Sequence, residues 1–148
     1  MTRPRIGAMF MSIVATLALA TNVLATQPQP VTITVLTDVV AGVGQVTSTS
    51  GIGCEGGIVS RGRGNFVGGQ SSTHARIIVV SQFQCEDGTF DLLVRVTLDF
   101  ETFDTAGTWS VLNGTGAYRS LHGTGSVTGE SRGFGLVLDT YVGSMHLD

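Results

Sequence analysis

Ala75-Arg76-Ile77-Ile78-Val79-Val80-Ser81-Gln82-Phe83-Gln84-Cys85-Glu86-Asp87-Gly88-Thr89-Phe90-Asp91-Leu92-Leu93-Val94-Arg95-Val96-Thr97-Leu98-Asp99-Phe100 decides the fold. A β-branched run reaches Cys85-Glu86-Asp87-Gly88, a turn closed by glycine, and the chain then alternates from Thr89 to Phe100. Phe90, Leu92, Val94, Val96, Leu98 and Phe100 point one way, while Thr89, Asp91, Arg95, Thr97 and Asp99 point the other, with Leu93 the exception. Period two with one apolar face describes a half-buried antiparallel strand. At about 3.4 Å per residue it spans roughly 40 Å, a length suited to a tilted barrel stave or a bent strand.

The next stretch outward, Trp109-Ser110-Val111-Leu112-Asn113-Gly114-Thr115-Gly116-Ala117-Tyr118-Arg119-Ser120-Leu121-His122-Gly123-Thr124-Gly125-Ser126-Val127-Thr128-Gly129, reads as strand, corner, strand. Trp109 and Val111 alternate with polar neighbours until Asn113-Gly114, a dipeptide at home where φ is positive. A compact turn then carries Tyr118 and Leu121, and Gly123 and Gly125 restart an extended segment through Val127. The residues expected to shape this corner are Asn113, Gly114, Gly116, Tyr118, Gly123 and Gly125, with Tyr118 placed to plug the end of a barrel or sandwich.

Upstream, Val31 to Leu36 alternates β-branched residues and Gly42 to Thr47 reads as a glycine-kinked strand. Between Ser48 and Gln70 only Ile58-Val59 and Phe66-Val67 survive as strand fragments, because glycine and serine interrupt every apolar pair. Downstream, Glu101 to Ala106 is a polar connection, Ser131-Arg132-Gly133 a turn, and Phe134 to Leu147 one long or two short strands. The count is seven or eight antiparallel strands and no helix in the mature chain. The expected fold is therefore all-β, a small antiparallel barrel of about eight strands with one disulfide, since closure removes exposed strand edges.

The 148 residues suffice for one domain and one core. Their amino terminus has the form of a signal peptide: Arg3 and Arg5, an apolar region from Ile6 to Ala20, and Val23-Leu24-Ala25 as the cleavage pattern. We expect a signal peptide over 1–25, a flexible spacer over 26–30 and the barrel domain over 31–148. A retained anchor is the competing reading, disfavoured by the thin apolar region and the following Thr-Gln-Pro-Gln-Pro spacer. Cleavage leaves six arginines against eleven carboxylates, a net charge of −5. The expected location is secreted, with no membrane partner after cleavage, and the acidic balance disfavours nucleic acid.

All eight basic residues are arginine. Schiff-base, P-loop and lysine-base chemistry are thereby excluded. In an oxidising compartment the two cysteines, Cys54 and Cys85, are most simply a disulfide, whose loop closure contributes about 3.7 kcal/mol in the chain-entropy model. A reactive or metal-binding thiol is the minor alternative, since no ligand spacing surrounds either residue.

Several literal motifs are set aside. Gly51-Ile52-Gly53-Cys54-Glu55-Gly56 matches a dinucleotide fingerprint without the helix that gives the fingerprint its function. Arg61-Gly62-Arg63-Gly64-Asn65-Phe66 has the look of an RNA-binding tract and is read as a solvated loop. His74, His122 and His146 are read as scattered surface or turn residues, so no metal and no cofactor are expected. No serine sits in a Gly-x-Ser-x-Gly elbow. Asp91, Arg95 and Asp99 share a strand face, read as solvated rather than ligand-orienting. Asn113-Gly114-Thr115 matches the glycosylation sequon, which the turn explains equally well.

Trp109 to Gly125 resembles the allene oxide cyclase and dirigent barrel superfamily. The resemblance rests on Gly114-Thr115-Gly116-Ala117-Tyr118 and Gly123, and on Phe83-Gln84-Cys85-Glu86-Asp87-Gly88, which looks like exported bacterial relatives. It covers roughly Gly53 to Gly129 and implies an eight-stranded barrel with an apolar cavity, often a homo-oligomer. The structural glycines and Tyr118 match, whereas no acid or pocket polar residue aligns one for one with the positions those proteins use, so catalytic residues are not carried over.

Three functional expectations result. The first is an exported barrel that binds a small apolar ligand or serves as an interaction module, with Phe90, Leu92, Val94, Val96, Leu98, Trp109 and Val111 filling the interior or lining a pocket. The second is a cofactor-free isomerase or cyclase, which needs a carboxylate or tyrosine hydroxyl inside the barrel. The third is a structural or host-contact protein acting through its exterior.

Overall fold

The computed structural model describes residues 27–62, 64–67 and 73–148. The expected signal peptide over 1–25, together with Arg63 of the arginine-glycine tract, lies outside them. Among the described residues nine strands run in chain order: β1 (Gln29–Asp38), β2 (Val43–Ser50), β3 (Ile58–Arg61), β4 (Asn65–Phe66), β5 (His74–Cys85), β6 (Gly88–Asp99), β7 (Thr105–Gly114), β8 (Leu121–Gly133) and β9 (Leu136–Leu147). All pairings are antiparallel, in the order β3-β2-β1-β9-β8-β7-β6-β5, and β3 pairs with β5 to close the sheet. The result is an eight-stranded barrel with β4 as an additional strand on β5.

The hairpin of β5 and β6 is the longest uninterrupted register, from His74 opposite Asp99 to Cys85 opposite Gly88, with Glu86 and Asp87 alone in the turn. β6 obeys the alternation read from sequence, and β5, read only as a β-branched run, is a strand paired with it along its whole length. Phe90, Leu92 and Val94 are buried, Val96 and Leu98 half-buried, and Arg95 and Thr97 exposed. Asp91, Arg95 and Asp99 belong to the opposite face, as expected. Phe100 departs from the expectation: β6 ends at Asp99, so Phe100 sits in the turn and is exposed.

Four other boundaries move. Gln29 and Pro30, expected in the spacer, already pair with Met145 and Ser144. Asn113 and Gly114 do not turn; they end β7 opposite Asp91 and Phe90. The corner begins later, at Gly116 with φ 57°, and is one 3-10 turn over Gly116–Tyr118. Gly114 is needed there for space instead, because a Cβ would lie 2.0 Å from the Tyr118 carbonyl oxygen. Gly123 and Gly125 lie inside β8, and β8 runs to Gly133, so the turn expected at Ser131–Gly133 falls on Phe134 and Gly135.

The interior divides into a filled half and an open half. At the filled end Phe83 and Phe90 stack with ring centroids 4.7 Å apart, Tyr141 meets Phe83 edge-on at 5.7 Å, and Tyr118 tilts against Phe90 at 5.0 Å. Trp109 and Met145 complete this core. The Trp109 indole N–H donates to the Ser126 carbonyl oxygen at 2.9 Å, so its polar edge is satisfied although the ring is buried. Cys54 and Cys85 are disulfide-bonded at the same end, their Cα atoms 5.3 Å apart. Tyr118 thus plugs the barrel as expected, its hydroxyl 3.4 Å from the Gly53 carbonyl oxygen.

Candidate functional site

Along β6, and through the middle of β5, inward-facing residues lose burial towards the other end. On β6 the sequence runs from Phe90 and Leu92, both fully buried, to Val96 and Leu98, both half-buried. On β5 it runs from Phe83, fully buried, to Val79 and Ile77, half-buried. A cavity of about 590 Å³ explains the gradient. Its walls are Ile77 and Val79 of β5, Val94, Val96 and Leu98 of β6, Val127 of β8, and Leu136 and Val137 of β9. Its mouth is framed by Val39 of the β1–β2 turn, Phe103 of the β6–β7 turn and Phe134 of the β8–β9 turn.

Of the seven residues expected inside, Val94, Val96 and Leu98 line this cavity. Phe90, Leu92 and Trp109 belong to the filled core, and Val111 packs against it. The barrel is therefore neither solid nor hollow throughout. Large aromatics fill the half nearest the disulfide, and β-branched side chains leave space in the other.

Arg61 and Asp139 give the cavity its polar character, and both line it. They form an ion pair through Arg61 Nη2 and Asp139 Oδ2. Thr37 Oγ1 donates to the same carboxylate oxygen at 2.8 Å, and Arg61 Nη2 lies 3.3 Å from the Tyr141 hydroxyl. Alternation places each of these groups: Thr37 follows Val31, Ile33 and Val35 on the inner face of β1, and Asp139 precedes Tyr141 on the inner face of β9. Gly129, opposite Asp139, makes room for it, since a Cβ there would stand 2.8 Å from Asp139 Oδ1.

This overturns the reading of Arg61 as part of a solvated loop. Arg61 ends β3 opposite Ser81, and its side chain is 18% exposed. A charge so placed requires a partner, and Asp139 supplies it. Arg61 Nε is buried with no hydrogen-bond partner among the described residues.

Burial raises the Asp139 carboxyl above the ordinary carboxylate range, partly offset by Arg61 and Thr37. Desolvation raises the Tyr141 hydroxyl as well, with Arg61 acting against it and Asp139 reinforcing it. For Arg61, burial favours deprotonation, but Tyr141 and Asp139 outweigh it and hold the guanidinium more firmly charged. The cavity therefore offers a fixed cationic donor, an acid raised towards the neutral form, and a phenol behind them, all under apolar walls.

The scattered histidines are also revised. The β8–β9 register sets His122 opposite His146, with ring centroids 5.4 Å apart, and both approach the Asp148 carboxylate, at 3.1 and 3.6 Å. Among the described residues, no group of three or more histidine, cysteine, aspartate or glutamate side chains is arranged to hold a metal ion.

Sequence reasoning missed the Arg61–Asp139 pair altogether. The available signal was parity, because Asp139 lies two residues after Val137 and two before Tyr141 on a strand whose odd-numbered positions face inward. Compared with protein-family models, curated proteins and solved structures, the chain finds no match.

Proposed function

We propose that this protein is an exported ligand-holding barrel whose cavity takes a small, largely apolar molecule bearing one hydrogen-bonding group. The observation behind the reading is the cavity of about 590 Å³, with aliphatic walls and the Arg61–Asp139 pair as its polar feature. That volume falls within the range that encloses drug-sized ligands, and apolar walls with a few placed polar groups are the usual construction of such sites. Export is supported by the signal-like amino terminus and by the disulfide, a bond that persists in oxidising compartments.

Native mass spectrometry of the oxidised protein, purified from an exporting host without detergent, tests this reading. An extra mass lost on denaturation, and absent from a Leu98→Trp variant that fills the cavity, is the expected result. A clean apo mass in both, together with no uptake of apolar carbonyl or hydroxyl compounds added in excess, would count against it.

A second reading, a cofactor-free isomerase or cyclase of the kind that the resemblance to allene oxide cyclases implies, draws support from one observation. It requires a carboxylate or tyrosine hydroxyl inside the barrel, and Asp139 and Tyr141 are such groups, the former raised by burial above the ordinary carboxylate range. Incubation with fatty-acid epoxides is the test. A product of unchanged chirality, identical with Asp139→Asn, would remove this reading and leave ligand holding intact.

A further inference from the structure

Two residues other than glycine have positive φ among the described residues, and both are phenylalanines at the cavity mouth: Phe103 at 60° and Phe134 at 53°. A bulky side chain in this conformation is disfavoured and persists only where the surroundings impose it. The side chains are not hidden in return. Phe134 is fully exposed, Phe103 is 58% exposed, and Val40 in the neighbouring turn is 87% exposed.

The turns carrying them are fastened from below. Asp38 Oδ1 accepts from the Val40 and Ala41 amides, both at 2.9 Å. Asp99 Oδ1 accepts from the Glu101 and Thr102 amides at 2.7 and 3.2 Å, and Asp104 Oδ1 from the Ser131 amide at 2.9 Å. The Val39 amide donates to the Gly135 carbonyl oxygen at 2.9 Å, tying the first turn to the third. Three fixed turns thus hold an apolar rim above an apolar cavity. Exposed apolar clusters of this kind mark contact surfaces.

Charge selects the occupant. In these turns and the residues flanking them, Asp38, Asp99, Glu101, Asp104 and Glu130 outnumber the one exposed arginine described there, Arg132, which Glu130 already pairs at 2.8 Å. A second copy set mouth to mouth brings two acidic rims together, and an anionic lipid surface repels the same rim. A zwitterionic surface does neither. Its outermost quaternary ammonium groups complement carboxylates and favour aromatic faces, while the acyl region below accepts phenylalanine and valine. We infer that the cavity mouth docks on zwitterionic lipid, with Phe103, Phe134 and Val40 entering the interface.

This contact departs from the sequence expectation of no membrane partner. It is peripheral, and it holds whether or not the cavity retains a ligand in solution.

Co-sedimentation of the oxidised chain with phosphatidylcholine vesicles provides the test, beside vesicles enriched in phosphatidylglycerol. The expected result is binding to phosphatidylcholine that weakens with added anionic lipid and falls about a hundredfold or more in Phe103→Ser/Phe134→Ser, the scale set by removing two exposed aromatics from an apolar phase. Val142→Ser, on the barrel wall, leaves it unchanged. Because the double variant alters two strained turns, Phe134→Trp supplies an independent readout: its emission shifts to the blue with phosphatidylcholine vesicles. Absence of sedimentation and of that shift overturns the proposal, as does binding by the double variant equal to that of the unaltered chain. A dimer in native mass spectrometry that Phe103→Ser/Phe134→Ser dissociates also overturns it, in favour of a second copy covering the rim.

Discussion

The Trp109 ring stands so close to Gly143 that a Cβ atom at that position would lie 2.6 Å from its Cζ2. Gly125 is in the same situation on the adjoining strand, at 2.7 Å from Cε2. Two glycines thus form the bed on which the one tryptophan rests. The space is closed from behind as well, because the same Cβ on Gly143 would meet the Thr124 carbonyl oxygen at 2.2 Å. Gly143→Ala is therefore expected to destabilise the barrel by about 1–3 kcal/mol through overpacking, measured by urea denaturation followed at the Trp109 fluorescence.

Removing one member of the Arg61–Asp139 pair leaves the other buried without compensation. Arg61→Met is expected to cost about 3–5 kcal/mol, and Arg61→Met/Asp139→Leu to recover most of that loss, since well-packed apolar replacements for a buried pair are often neutral or better. A double-mutant cycle in urea gives the coupling directly. Additive losses would show that the two side chains do not act as a pair.

Two carboxylates give opposite pH signatures. Asp139, raised by burial, holds its proton to higher pH in the folded state than in the unfolded one, so its contribution is present in acid and is lost as pH rises through its folded value. Asp99, lowered by hydrogen bonds from the Glu101 and Thr102 amides, contributes above the ordinary carboxylate value and loses that contribution as pH falls. Denaturation across the acid range should therefore show the stability of the unaltered chain relative to Asp139→Asn declining with pH, and relative to Asp99→Asn rising with it. Parallel curves would contradict both assignments.

The disulfide closes a loop with a sequence separation of 31. Its reduction is expected to lower stability by up to about 3.7 kcal/mol, checked by denaturation with and without a phosphine reductant. An unchanged midpoint would show that the packed aromatics alone hold the filled end.

The fold was legible where period two ran unbroken. In the β5–β6 hairpin, β6 could be read almost residue for residue, because every inward position is apolar and polar residues alternate with all but one of them, whereas β5 was legible only as a β-branched run leading into the turn. Legibility failed between Ser48 and Gln70, where β3 and β4 have four and two residues and stand apart at Gly62–Gly64, so neither is long enough to show a period. It failed at Asn113-Gly114 for another reason: the sequence shows that glycine is required there, but not whether φ or the crowding of Tyr118 requires it. The Arg61–Asp139 pair was beyond reach in a stronger sense, since β3 and β9 are not neighbours in the sheet and the two side chains meet only across the barrel interior.

The pairing of Gln29 with Met145 places the start of β1 and the end of β9 together at the filled end, a barrel's length from Phe103 and Phe134. Whatever is joined to the domain at either end, a surface linker or a fluorescent label, attaches behind the aromatic plug. The barrel can thus be immobilised by its tail and still present an unobstructed opening, a polarity that suits it to capture experiments on a sensor chip in a single orientation.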